Sequence, residues 1–232
     1  MIRKVSLFFA TALLGTFCSA AAQQTPPPTF LDKQLARMDL GVSAAVLLNQ
    51  TVSGPVLPAD APNAPNAANP DPGPLTDQIS NTVGEHVNIR YIVRPAFGLE
   101  FNFVNARYTE NFCCNADSQG INLGVQTGAR EFTLGYIVTP RQTFFGVHPF
   151  ASVGAGSTEF TPTAHGGQSL PKQARATYYY SIGAQEDISP HFGLRVAFRQ
   201  TFFLAPDYGQ NYLTILQHTT SYEPTAGFYL RF

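Results

Sequence analysis

Five histidines, His86, His148, His165, His191 and His218, are the natural candidates for acid–base or metal chemistry in this chain. None stands in an H-E-x-x-H pattern, in which one helix face presents two zinc ligands and a general base. No G-x-S-x-G stretch is present to form a nucleophile elbow. Two combinations set a histidine near a carboxylate that would orient it: Glu85 with His86, and Asp207 with His218. A solvated loop residue accounts for each more simply than a catalytic one. Cys113 and Cys114 are adjacent, so they can close only a strained vicinal ring, bond to other chains, or stay as thiols. With no further cysteine nearby and no histidine at finger spacing, they are not a metal motif. No catalytic residue, metal ligand or cofactor is assigned, and the chain is not expected to be an enzyme.

Arginines and carboxylates form the second chemically capable set. Arg90, Arg94, Arg195, Arg199 and Arg231, with Asp39, Glu100, Glu131 and Glu223, all occupy the polar phase of segments that alternate polar and apolar. Alternation puts successive side chains on opposite faces of a strand. These charges of both signs therefore share one side of whatever sheet the segments build. An arginine fork binds a carboxylate through two parallel hydrogen bonds, which suits a crowded network.

The segments that must position them are long. Leu40, Val42, Ala44, Val46 and Leu48 alternate with Asp39, Gly41, Ser43 and Ala45; Val87, Ile89, Tyr91 and Val93 alternate with Asn88, Arg90, Ile92 and Arg94. Phe97, Leu99, Phe101 and Phe103 follow, then Phe132, Leu134, Tyr136 and Val138. The stretch VHPFASVGAGSTEF is built of small residues and its faces are not assignable from sequence. ARATYYYSIGAQED carries Tyr178, Tyr179 and Tyr180, suited to an interfacial aromatic girdle. HFGLRVAFRQTFFL and the stretch from Gln217 to Phe232 complete eight predicted strands with no amphipathic helix between them. Connections after the first, third, fifth and seventh strands are long or polar: residues 49–78, a Pro-, Asn- and Ala-rich mobile loop, then 110–119, 161–173 and 205–215. Those near Pro95 and at Ser189-Pro190 are tight. Long and short connections alternating on an even strand count describe an up-and-down antiparallel barrel.

Composition decides which way round the barrel faces. Charged residues are 12% of the chain, against roughly 25% in ordinary soluble domains. The N-terminus reads as a secretory signal peptide over residues 1–22: Arg3 and Lys4, an apolar run from Val5 to Phe17, and Ala20 to Ala22 at the cleavage site. Phe17 before Cys18 disfavours lipidation. Residues 23–36 read as a Pro-rich lead-in, and residues 37–232 as the barrel. Losing Arg3 and Lys4 from 14 basic residues leaves 12 against 15 acidic, a net charge of −3, which gives no reason to expect nucleic acid binding. A water-soluble barrel would show a charged exterior rich in Lys and Glu. This chain keeps only Lys33 and Lys172 after export, both outside the strands. The apolar phase therefore faces lipid, and the polar phase a lumen that eight strands leave just wide enough for side chains to fill. Asp39, Arg90, Glu100, Glu131, Arg195, Arg199 and Glu223 are predicted to form a charge network that plugs that lumen.

The last residues settle the type of barrel. Thr225, Gly227, Leu230 and Phe232 are a polar residue, a glycine and two hydrophobics two apart, the last at the end of the chain. That pattern resembles the C-terminal insertion signal of bacterial outer-membrane barrels. Over residues 37–232 the chain resembles the small outer-membrane β-barrels of the OmpA transmembrane-domain and OmpX-like group. The resemblance implies an eight-stranded antiparallel up-and-down transmembrane β-barrel in a Gram-negative outer membrane. It also implies contact with outer-membrane lipid and with the barrel-assembly machinery during insertion. Nothing follows Phe232, so the periplasmic cell-wall domain of full-length OmpA is not expected. Lipid A deacylases of this fold class carry a His-x-Ser pair; His218-Thr219-Thr220 lacks the serine. The expected role is structural or a surface interaction through the exterior loops, with a narrow pore or hydrophobic-solute channel as the first alternative and a lipid-modifying enzyme as the second.

Overall fold

Antiparallel pairing closes the sheet on itself: β1 (Met38–Asn49) pairs with β4 (Thr82–Arg94) and β10 (His218–Arg231), and β5 (Phe97–Cys113) pairs with both β4 and β6 (Asn122–Val138). β7 (His148–Pro162), β8 (Gln173–Ser189) and β9 (Phe192–Leu204) fill the rest of the wall in chain order. The computed structural model describes residues 29–55, 74–113, 122–210 and 213–232. The residues expected as a signal peptide, most of the lead-in and Cys114 lie outside the described residues.

Closure follows from the environment these faces demand, because hydrocarbon offers no partner to an unpaired strand edge. The face assignment is inside out relative to a soluble barrel. Leu134 is 59% exposed and Val196 55%, whereas Arg199 is 1% and Glu100 2% exposed. β7, unreadable from sequence, turns Phe150, Ser152 and Phe160 inward and Ala151 and Val153 outward. Tyr178 and Tyr180 face out, but Tyr179 between them is buried in the lumen, so the tyrosine cluster supplies only two residues to the wall.

The wall is taller on one side. β5 and β6 have 17 residues each, well beyond the roughly 9–11 that cross a bilayer. The residues 49–78, expected as one irregular loop, include two short strands instead. β2 (Val52–Pro55) and β3 (Pro74–Ile79) form a hairpin, and β3 continues the edge of β5 where β4 stops. Only four pairs join β3 to β5, from Thr76–Cys113 to Ile79–Glu110. The alternation in these strands is too short to stand out from its Pro- and Asn-rich flanks. The polar tip expected at 110–119 likewise begins later, since β5 runs through Cys113. At the opposite end the lead-in holds a helix, α1 (Phe30–Leu35), started by a Thr29–Asp32 capping box.

Candidate functional site

The lumen has two storeys of ion pairs and an apolar cap. In the lower storey, Arg195 sits on β9 with its Nη2 2.9 Å from Asp39 Oδ1 and its Nη1 donating to Asn88 Oδ1 at 2.8 Å. Arg90 donates from Nε to Glu100 Oε2 at 2.5 Å. Gln185 Oε1 accepts from both guanidinium groups. The Arg90 guanidinium lies 4.0 Å from the Phe150 ring centroid and that of Arg195 4.5 Å from Tyr229. Such cation–π contacts cover the flat faces that carboxylates leave open.

Arg199 organises the upper storey. It pairs with both Glu131 and Glu223, at 2.6 Å from its Nη1 to Glu223 Oε2, and its guanidinium lies 4.4 Å from the Tyr179 ring centroid. Thr201 donates to Glu223 Oε1 at 3.0 Å. Asn102 links the storeys: its amide donates to Glu100 at 3.1 Å and to Tyr179 Oη at 2.9 Å, and its carbonyl meets His86 Nε2 at 3.0 Å. Ser152 adds a donor to Glu100 at 3.0 Å. Buried charges of this kind are tolerable only when their hydrogen bonds are satisfied, and most of these are. Gly41 makes room for the assembly: a Cβ there would stand 2.8 Å from Arg195 Nη1.

Above Arg199 the filling changes. Tyr108, Phe112, Val125, Phe160 and Phe203 from the wall meet Leu75 and Ile79 of the hairpin and Tyr208, Leu213 and Ile215 of the connection between β9 and β10. That loop was expected to be open to solvent; its apolar residues fold back into the barrel mouth instead. Two carboxylates sit inside this apolar mass. Glu110 accepts from Tyr208 Oη at 2.6 Å through Oε2, but its Oε1 has no partner among the described residues. Both oxygens of Asp77 lack one as well. Asp77 faces Phe112 across the β3–β5 ladder, and Glu110 faces Ile79, so the two carboxylates are diagonal neighbours on one face. Both lie above the apolar belt. Burial pushes the Asp77 carboxyl up to about 7, and burial together with Asp77 pushes Glu110 well above the ordinary carboxylate range.

Two predicted inward charges lie elsewhere. Arg94 is exposed beside the Pro95 turn. Arg231 is at the rim, half-exposed, 3.3 Å from Asp187. Both fall where strands end and alternation no longer encloses the inner phase. The histidine combinations are also separated. Glu85 faces outward while His86 faces the lumen. Asp207 is bound by Gln173, Arg175 and Thr214, whereas His218 opens β10 in an exposed position. Among the described residues no group of three or more His, Cys, Asp or Glu side chains could hold a metal ion. Cys113 closes β5, with its neighbour outside the described residues. Of the terminal signature, Thr225 and Gly227 point inward, and Leu230 and Phe232 are exposed to the outer side.

Asn88, Asn102 and Gln185 were not singled out from sequence, although alternation would have put the asparagines inside. Tyr208, Asp77 and Glu110 left no comparable signal.

No family model matches the chain, and no curated protein matches it in sequence. Its structure is similar to that of the outer membrane protein OprG from Pseudomonas aeruginosa, at a TM-score of 0.56 and 11% identity, covering 84% of this chain and 95% of that one. It is also similar to Neisserial surface protein A, at a TM-score of 0.51 and 14% identity, covering 84% and 97%. The fold is that of small outer-membrane eight-stranded β-barrels.

Proposed function

We propose that the chain is a closed outer-membrane barrel with a structural or surface-interaction role, working through its exterior end. The observation that carries this reading is the filling of the lumen, from Asp39 at the lower rim through Arg199 to the Tyr208 cap, broken by a cavity of about 20 Å³ between Glu131, Glu223 and Tyr108. Among the described residues, two arginine storeys and an apolar lid lie across the lumen in series, and the cavity between them has room for about one water. The exterior end, by contrast, carries the tall β5–β6 wall and the β2–β3 hairpin, which rise beyond the neighbouring strands and give partners a surface to meet. Export of residues 1–22 as a signal peptide would bring the chain to the outer membrane. Thr225, Gly227, Leu230 and Phe232 would then present β10 to the barrel-assembly machinery, and the apolar belt would face outer-membrane lipid.

The test is planar-bilayer recording of purified refolded protein. The expected record is flat, with no reproducible conductance steps. Regular steps that persist after repurification would overturn the plug and favour the narrow-pore alternative. Replacing the hairpin residues 50–79 with a short Gly-Ser linker should leave the heat-modifiable gel shift intact while abolishing contacts made at the exterior end.

A further inference from the structure

The outer wall carries a polar interruption on β5 and β6. Phe103 on β5 and Phe132 on β6 are a cross-strand pair in the apolar belt. Directly above them the outward positions become Asn105 and Arg107 on β5, and Arg130 on β6. The register puts Ala226, Ala44, Glu85, Asn105 and Arg130 in one outward row, which climbs toward the exterior because the strands are tilted. Below that row are Val42 and Phe228, paired across β1 and β10. A groove of about 1130 Å³ follows this diagonal, from Phe228 and Val42 at its lower end to Arg107, Arg130 and the Thr161–Ala164 segment at its top.

Its chemistry is graded. The lower floor is made of alanines between larger apolar side chains, and the upper end of two guanidinium groups. Arg107 faces Gly128 across the ladder, so Arg130, two residues further along β6, is its diagonal neighbour on the same face. Neither arginine has an ion-pair partner among the described residues. Glu159, opposite Arg130, feels the charge of Arg130 and is also engaged by Lys172 at 3.4 Å and by Thr161 at 3.1 Å. Glu85 is diagonal to Arg107, so Arg107, Arg130 and Lys172 stand against Glu85 and Glu159 and leave the upper end with one net positive charge.

We propose that this groove seats a phosphorylated lipid of the outer leaflet, an acyl chain lying over Ala44 and Ala226 and the phosphate between Arg107 and Arg130. Paired guanidinium forks match a phosphate oxygen set better than any other common membrane group. The arginines are cheap to place here, because a cation on the lipid face costs far less near the interface than at the midplane. The inference rests on the proposed orientation, with the long connections outside.

Native mass spectrometry of the folded barrel in mild detergent tests it, with phosphatidic acid and diacylglycerol of identical chains as ligands. Wild type is expected to retain phosphatidic acid about tenfold more than diacylglycerol, and the Arg107→Gln/Arg130→Gln double variant to lose that preference. An Arg94→Gln/Arg141→Gln control, at the opposite rim, should keep it. Equal retention by wild type and the groove double variant would overturn the site. Displacement of phosphatidic acid by millimolar inorganic phosphate would overturn the lipid as its source and assign it to free phosphate. Heat-modifiable mobility of each variant reports the barrel separately, and labelling of Ser53→Cys in intact cells reports its orientation. A failed orientation is thereby distinguished from a failed groove.

Discussion

The lower lumen and the mouth of this barrel hold buried carboxylates in opposite ways. Below, Glu100, Glu131 and Glu223 each meet an arginine, and Asn102, Thr201 and Ser152 take up further lone pairs. Above, Asp77 and Glu110 are as deeply buried, but their surroundings are leucine, isoleucine and aromatic rings. The first arrangement gives each carboxylate a cationic partner; the second leaves the carboxylates without one, and burial there favours their protonated form. One barrel therefore contains a charge-locked floor and a proton-dependent lid, built on the same strands. β5 carries both: Glu100 near its lower end, Glu110 near its upper.

The comparison breaks most sharply at Arg199. Arg199→Met would leave Glu131 and Glu223 facing each other without a cation, and removing one partner of a buried ion pair costs about 3–5 kcal/mol. Urea unfolding of the refolded barrel in lipid vesicles should show that loss. A change under 1 kcal/mol would mean that water enters the upper storey and the plug is not dry. Phe112→Ala tests the lid at a somewhat smaller scale. Phe112 is fully buried against Leu75, Tyr208 and their neighbours, and such a truncation costs about 3 kcal/mol or more. The hairpin is held to β5 by few pairs, so this loss should appear as loosening of β2–β3 and not as unfolding of the barrel. Protease cleavage within residues 50–79, with the boiled-gel shift unchanged, is the expected readout.

How much of this was legible in the sequence differs between the same two regions. The floor was readable because alternation alone turns Arg90, Arg195 and Arg199 inward, and the low overall charge says which phase meets lipid. What alternation does not give is the partner. The pairing of Arg195 with Asp39 depends on a register that closes β1 onto β10 and so brings β9 within reach. The lid was not readable. Its residues come from a short hairpin in a proline-rich stretch, from the upper end of β5 and from the loop after β9. No single one of these shows a period long enough to mark it as core. Tyr208 has a positive φ of 52° in a stretch that reads as a turn, and only the assembled mouth explains why an aromatic sits there.

Proton dependence sharpens the contrast. The Asp77 carboxyl titrates near 3.8 when solvated and at about 7 in the lid. A raised carboxyl favours the closed lid while the group is protonated. The closed lid is therefore most favoured below about pH 4, loses that advantage as pH rises, and has lost it by about pH 7. The titratable groups facing Asp77 are Glu110 and Tyr108 of β5 and Tyr208 of the last loop, and Glu110 drives the balance the same way. A spin label on Ser53→Cys, in a chain with Cys113 and Cys114 replaced by serine, should become more mobile between pH 4 and 7. Asp77→Asn should flatten most of that change. Mobility that falls with rising pH would show that a cation, and not a proton, neutralises the pair.

The smallest effect belongs to a pair that resembles the floor in chemistry but not in burial. Arg231 and Asp187 lie 3.3 Å apart at the lower rim, with 37% and 38% of their side chains exposed. Water screens such a pair, and exposed ion pairs contribute about 0–1 kcal/mol. Asp187→Ala also removes the acceptor of the buried Tyr229 hydroxyl, but Asp187 is itself part-exposed, so water can take the place of its carboxylate. Urea midpoints of Asp187→Ala and wild type should differ by less than 1 kcal/mol in stability, several-fold below Arg199→Met under the same conditions. A loss as large as that of Arg199→Met would mean that the rim is sealed from water, so that the charge-locked floor extends one storey lower than the burial of Asp39 and Arg195 marks it.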